Sequence, residues 1–155
     1  MQNQTEIRPT DPDDPKSLYC LTQYFALLTA RIPNLLLSLF PLPDPEPQTY
    51  RPPHGAFLIA LLDQTPIGCV SLRPLSVTVA EVKRLWIAPA ARGQGLARRL
   101  MRDIEAQARA LGYISLQLDT NEHLPEAIGL YSKTGWSPIP PYSAPPATHW
   151  FGKSL

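Results

Sequence analysis

The sequence predicts an α/β layered domain built on a mixed sheet, and three observations carry that prediction. Apolar runs bounded by turn signals recur at Ala56–Leu62, Ile67–Leu72 and Val77–Ile87, as strands do. From Leu96 the apolar spacing changes to a helical period. It returns to strand-like alternation at Ile114–Asp119 and then to a second helical stretch, an order that indicates strands layered against helices. A chain of 155 residues, 44% of them apolar, can bury one continuous core without metals or disulfides, so one domain over residues 1–155 is expected.

Thr5–Arg8 is short enough for an edge strand. Asp14 as N-cap and Pro15 at the first helical position then open a helix, along which Leu18, Leu21, Phe25, Leu28 and Ile32 form an apolar stripe. That stripe reads as core packing, not as a cofactor groove. A second short helix is expected within Asn34–Phe40, ended by proline. The 19 prolines cluster in Pro41–Pro53 and Pro138–Pro146, which should be extended loops, since proline lacks the backbone donor and fixes φ.

Asp63, Gln64, Thr65 and Pro66 form the turn between the first two long strands. Along Val77–Ile87, strict alternation places Glu81, Lys83, Leu85 and Ile87 on one face and Val82, Arg84 and Trp86 on the other. Leu96, Leu100, Ile104, Ala108 and Leu111 share one helical face, and Gly112 ends that helix. Pro125–Thr134 reads as a helix closed by Gly135, and His149–Lys153 as a final strand.

Fourteen basic residues against 13 acidic ones leave no global field, which argues against a nucleic-acid or membrane-surface binder. The longest apolar run, Ala56–Leu62, falls far short of the ~20 residues of a membrane span. With a polar stretch at Met1–Thr10, a cytoplasmic protein is expected. Cys20 and Cys69 lack metal or redox spacing and read as buried thiols. His54, His123 and His149 are scattered, so no metal is expected.

The segment that carries chemistry is Arg92-Gly93-Gln94-Gly95-Leu96-Ala97, between a strand and a helix. A glycine turn running into the unpaired N–H groups of a helix start makes a preformed anion site, suited to pyrophosphate. Gly-x-Gly also occurs in ordinary strand-to-helix turns, so context decides. A dinucleotide-binding turn would want a small residue where Arg98 stands, and no Gly-Lys-Ser/Thr follows to make a P-loop.

Val82-Lys83-Arg84-Leu85-Trp86-Ile87-Ala88-Pro89 followed by Arg92-Gly93-Gln94-Gly95-Leu96-Ala97-Arg98-Arg99-Leu100 resembles the acetyl-CoA-binding core of the GNAT superfamily. Leu118-Asp119-Thr120-Asn121 and Ala127-Ile128-Gly129-Leu130-Tyr131-Ser132-Lys133-Thr134-Gly135-Trp136 resemble the strand and helix that follow it there. The core motifs lie within residues 77–136, and Ile139-Pro140-Pro141-Tyr142 is similar to the tail of a small bacterial subgroup. The resemblance implies a mixed, mostly antiparallel sheet flanked by helices and splayed at the acetyl-CoA site. It implies an acetyl-CoA-dependent N-acetyltransferase acting by direct attack of an amine. A non-catalytic acyl-CoA-binding sensor is the alternative, and a homodimer is left open.

Residue by residue, the resemblance implies that backbone amides of Gly93, Gln94, Gly95, Leu96 and Ala97 hold the pyrophosphate, with Arg92 beside it. Leu85, Trp86 and Ile87 would pair with the pantetheine arm like an added strand, and Leu85 or Trp86 N–H could polarise the thioester. Arg98 and Arg99 are candidates for the ribose phosphate, and Asn121 for the pantetheine amide or a turn role. Tyr131 is implied close to the sulfur as the proton donor, and Glu81 as a general base through water. The acceptor amine would be set by Asp14–Ile32, by the loop Pro41–His54, where His54 could line its pocket, and by Pro138–Pro146.

Overall fold

A computed structural model describes residues 4–155, so Met1–Asn3 of the polar N-terminal stretch lie outside the described residues. One seven-stranded sheet runs in the order β1-β2-β3-β4-β5-β7-β6, with β1 at Thr5–Pro9, β2 at Ala56–Leu62, β3 at Thr65–Pro74, β4 at Val79–Ile87, β5 at Ser115–Thr120, β6 at Ser137–Pro138 and β7 at His149–Ser154. Only β4 and β5 are parallel. The expected mixed, mostly antiparallel sheet is therefore present. Among the described residues no helix is long and apolar enough to cross a membrane.

Helix α1, Pro15–Arg31, starts as its sequence dictates: the Asp14 carboxylate accepts the N–H of Lys16 at 2.9 Å and Pro15 takes the first helical position. Because that cap satisfies one of the helix's orphan donors, Asp14→Ala should lower stability by about 1 kcal/mol. Urea unfolding with an unchanged slope checks it. The proposed helix within Asn34–Phe40 shortens to a 3₁₀ turn at Leu37–Leu39, and Pro47 opens another at Pro47–Tyr50, where a first-position proline costs no hydrogen bond.

The apolar runs are continuous because the sheet is buried on both faces. Ala56, Leu58, Ala60, Val70, Leu72 and Leu116 pack toward α2, Leu96–Ala110, while Phe57, Ile59, Leu61 and Cys69 pack toward α1. Both cysteines are fully buried, and burial pushes the Cys69 thiol up. Within α2, Glu105 is buried in the apolar face and answered by Lys153 of β7 at 2.8 Å. Gly112 and Gly135 close α2 and α3, Pro125–Lys133, at positive φ as expected.

Strict alternation along β4 fails. Register passes from Cys69↔Trp86 to Ser71↔Lys83, two steps on β3 against three on β4, and Arg84 sits at φ 61°. This is a β-bulge. It turns Leu85 and Ile87 to the α2 face with Val82, away from Glu81, while Trp86 packs with α1. Arg84 has no hallmark of a left-handed residue. Its conformation is held from outside: the Cys69 thiol donates to its carbonyl at 3.3 Å, its guanidinium bonds Asp44 at 2.7 Å, and it lies over the rings of Phe25 and Tyr50.

Candidate active site

β4 and β5 pair only at Val79↔Ser115, Ala80↔Leu116 and Glu81↔Gln117. Beyond Glu81 the strands separate, because the bulge increases the local twist of β4 while β5 stays paired to β7 along its length. The parting leaves the Val82–Ile87 edge without a strand partner toward β5 and opens a cavity of about 300 Å³. Its walls come from Val82–Ile87, the turn at Ala91–Arg98, Asp119 and Thr120 of β5, Leu124–Tyr131, and Tyr24 and Leu27 of α1. An extended, amide-bearing guest can pair with such an edge as a further strand does.

At the cavity's glycine turn, Gly93 and Gly95 have φ 77° and 81°, and a Cβ built on either meets nothing within 4 Å. Gly95 is the N-cap of α2 and offers no side-chain cap, so the first-turn N–H groups stay available. Gly93, Gly95, Leu96, Ala97, Arg92 and Arg98 line the cavity, whereas Gln94 does not. Helical rotation separates the two arginines: Arg98 stays on the cavity wall, and Arg99 turns to the carbonyl of Thr5 at 3.3 Å. Arg92 is exposed and leans on the carbonyl of Ile87.

Tyr131 enters from α3, 5% exposed, its ring held between Trp136 and Phe151 at centroid distances of 5.9 and 5.8 Å. The residue lines the cavity, and no hydrogen bond engages its hydroxyl among the described residues. Burial pushes the hydroxyl above its usual value, as it does for Tyr24 on the facing helix. Both stay protonated at working pH, so they donate hydrogen bonds and do not accept protons.

Glu81 stands elsewhere. It is 2% exposed and lines no cavity described here; one oxygen takes Arg73 Nε at 2.7 Å with Lys83 Nζ at 3.6 Å, and the other takes the Tyr142 hydroxyl at 2.7 Å. Burial and this bond hold Tyr142 in its neutral form. The carboxylate therefore fastens the Pro138–Pro146 segment to β4. Asn121 lines no cavity either: its amide donates to the Pro146 carbonyl at 2.6 Å and its oxygen accepts the N–H of His123, the turn role of an Asn after a strand. His54 is exposed, does not line the cavity, and its carbonyl receives the Tyr113 hydroxyl.

A second cavity, of about 320 Å³, adjoins the first and shares with it Tyr24, Val82, Lys83, Arg84 and Asp119. Phe25, Leu28 and Phe40 form one side and Ala144, Pro146 and Ala147 the other. The apolar stripe of α1 is thus not core packing alone: Phe25 and Leu28 also wall this space. Asp119 belongs to the strand motif Leu118-Asp119-Thr120-Asn121. Its Oδ2 accepts the Ser143 hydroxyl at 2.6 Å, and Oδ1 takes no hydrogen bond from the described residues, so a carboxylate oxygen is left at the junction. Alternation along β5 aims it there; which other elements converge on it could not be read from local sequence. Among the described residues no group of His, Cys, Asp and Glu could hold a metal ion.

The Acetyltransferase (GNAT) family model matches residues 26–136. An IAA acetyltransferase of Azospirillum brasilense is 36% identical over 112 residues, covering 70% of this chain and 73% of that one. An uncharacterized N-acetyltransferase of Schizosaccharomyces pombe is 38% identical over 95 residues; the alignment covers 60% of this chain but only 58% of the yeast protein's length. A PaiA N-acetyltransferase from Thermoplasma acidophilum, solved in complex with coenzyme A, superposes with a TM-score of 0.73 over 98% of this chain and 99% of that one, a likeness of fold at 15% identity.

Proposed function

Because this chain belongs to the GNAT acetyltransferase family, we propose that it moves an acetyl group from acetyl-CoA to a primary amine by direct attack, with no covalent enzyme intermediate. The observation that carries this reading is the open β4 edge running into an uncapped glycine turn at the start of α2. Bound there, acetyl-CoA supplies an activated thioester. First-turn amides from Gly93 to Ala97 would take the pyrophosphate, with Arg92 and Arg98 nearby. Main-chain groups of Leu85 and Ile87, on the edge away from β3, would pair with the pantetheine arm, with Trp86 between them turned to Cys69 of β3. Neither cysteine supports a covalent route, since both are buried in the core under α1.

Tyr131 is the proposed donor to the departing sulfur, its hydroxyl being neutral and uncommitted. For the acceptor's proton we propose Asp119 in place of Glu81. Both Glu81 oxygens are already held, so taking a proton would loosen Arg73 or Tyr142, whereas Asp119 keeps one oxygen free between the cavities. The contribution of Asp119 should sit at or below the lower end of the roughly 10²–10⁴-fold range of general acid–base catalysis.

Acetyl-CoA-dependent thiol release with a panel of amines tests the function, and two variants test the assignment. Asp119→Asn should lower kcat by tens of fold at low pH, where the acceptor is protonated, with partial recovery at high pH. Glu81→Gln should leave the shape of the pH–rate profile unchanged and act on thermal stability and acceptor KM by loosening the Tyr142 segment. The reverse pattern returns the base role to Glu81.

A further inference from the structure

Resting on the acetyl-transfer reading, we propose that the second cavity is the acceptor site and that it takes a free amino carboxylate with an apolar or aromatic body, rather than a simple amine or a protein lysine. The body is set by the walls: Phe25, Leu28 and Phe40 face Ala144, Pro146 and Ala147, which offer no side-chain hydrogen bonds. At about 320 Å³ the space lies at the small end of small-molecule sites, roughly 300–1,000 Å³.

Both of its walls are fastened by side-chain contacts. On the Pro138–Pro146 side, three buried or half-buried bonds tie the segment down: Tyr142 to Glu81, Ser143 to Asp119, and Asn121 to the Pro146 carbonyl. On the other side Phe40 stacks on Phe25 at 4.5 Å, and Asp44 just beyond it bonds Arg84. A lysine held in a polypeptide would bring its ammonium here without a carboxylate on the same side chain.

Charge decides the ends of the acceptor. Asp119, with its free oxygen at the junction with the first cavity, suits the ammonium. Of the cations around the cavity, Arg84 pairs with Asp44 through Nη2 at 2.7 Å, its Nη1 buried without a hydrogen-bond partner among the described residues, and Arg73 holds Glu81 at 2.7 Å. Lys83 is left with the more distant share of the same Glu81 oxygen, 3.6 Å away, so it is the loosest cation lining the cavity. An ammonium that engages Asp119 uses the negative charge there and leaves the positive charge of Lys83 to be answered. A carboxylate on the same small molecule answers it.

The test compares phenylalanine, its decarboxylated counterpart phenethylamine and a lysine-containing peptide as acceptors, following thiol release from acetyl-CoA. Phenylalanine should exceed phenethylamine in kcat/KM by about tenfold or more, as a charge-assisted contact allows. Lys83→Gln should narrow that ratio by about tenfold, chiefly through KM for phenylalanine, and Lys83→Arg should restore part of it. A decarboxylated amine that is as good as the amino acid, turnover of the peptide alone, or a ratio unmoved by Lys83→Gln would overturn the proposal while leaving acetyl transfer in place. Failure of every amine in the panel to raise thiol release above the amine-free rate overturns both readings together.

Discussion

Gly95→Val should abolish detectable acetyl-CoA binding in a protein that remains folded. At φ 81° the position suits glycine, and a Cβ there meets no protein atom within 4 Å. The added side chain would not clash with the fold; it would stand in the open space before the uncapped N–H groups of α2, where phosphate must approach the backbone. A β-branched residue at positive φ also carries backbone strain, so a control is needed that shares the strain and not the location. Gly112, at φ 95° and with nothing within 4 Å of an added Cβ, closes the far end of the same helix. Gly112→Val should lose stability comparably and bind acetyl-CoA normally. Calorimetric titration with circular dichroism on both variants decides it, and a folded Gly95→Val that binds like the parent would remove the turn from the site.

Tyr131→Phe should lower the single-turnover rate by at least about a hundredfold, the lower end of what general acid catalysis supplies, with acetyl-CoA affinity preserved. The substitution removes one oxygen and keeps the ring packed between Trp136 and Phe151, so the loss reads as chemistry. The sign of the pH effect follows from burial: with the hydroxyl pushed above its ordinary value, Tyr131 stays protonated as pH rises through neutrality. The parent should therefore show no loss of rate from Tyr131 ionisation below about pH 10, and a basic limb at lower pH belongs to another group. A single-turnover measurement isolates the chemical step from product release. Wild-type rates in the variant would leave the departing sulfur to water.

By itself, the sequence determined what is local in range. Continuous apolar runs specified strands buried on both faces, a carboxylate followed by proline specified the start of α1, and two glycines before Leu96 specified an uncapped helix start with space in front of it. Tyr131 was singled out by the resemblance and not by periodicity; α3, closed by Gly135, carries it to the cavity wall. Only the tertiary structure decided the rest. The β4 bulge falls on an arginine with no preference for positive φ, imposed by Cys69, Asp44, Phe25 and Tyr50 from three other parts of the chain. Counting by twos from Glu81 therefore put Leu85 and Ile87 on the wrong face. The burial of Glu81 likewise depends on Arg73 across the sheet and Tyr142 sixty-one residues on. Asp119 acquires its place through Ser143 and the parting of β4 from β5. Propensity and periodicity act over a few residues, whereas a carboxylate's role is set by which charges and hydroxyls the packed chain brings within hydrogen-bond reach.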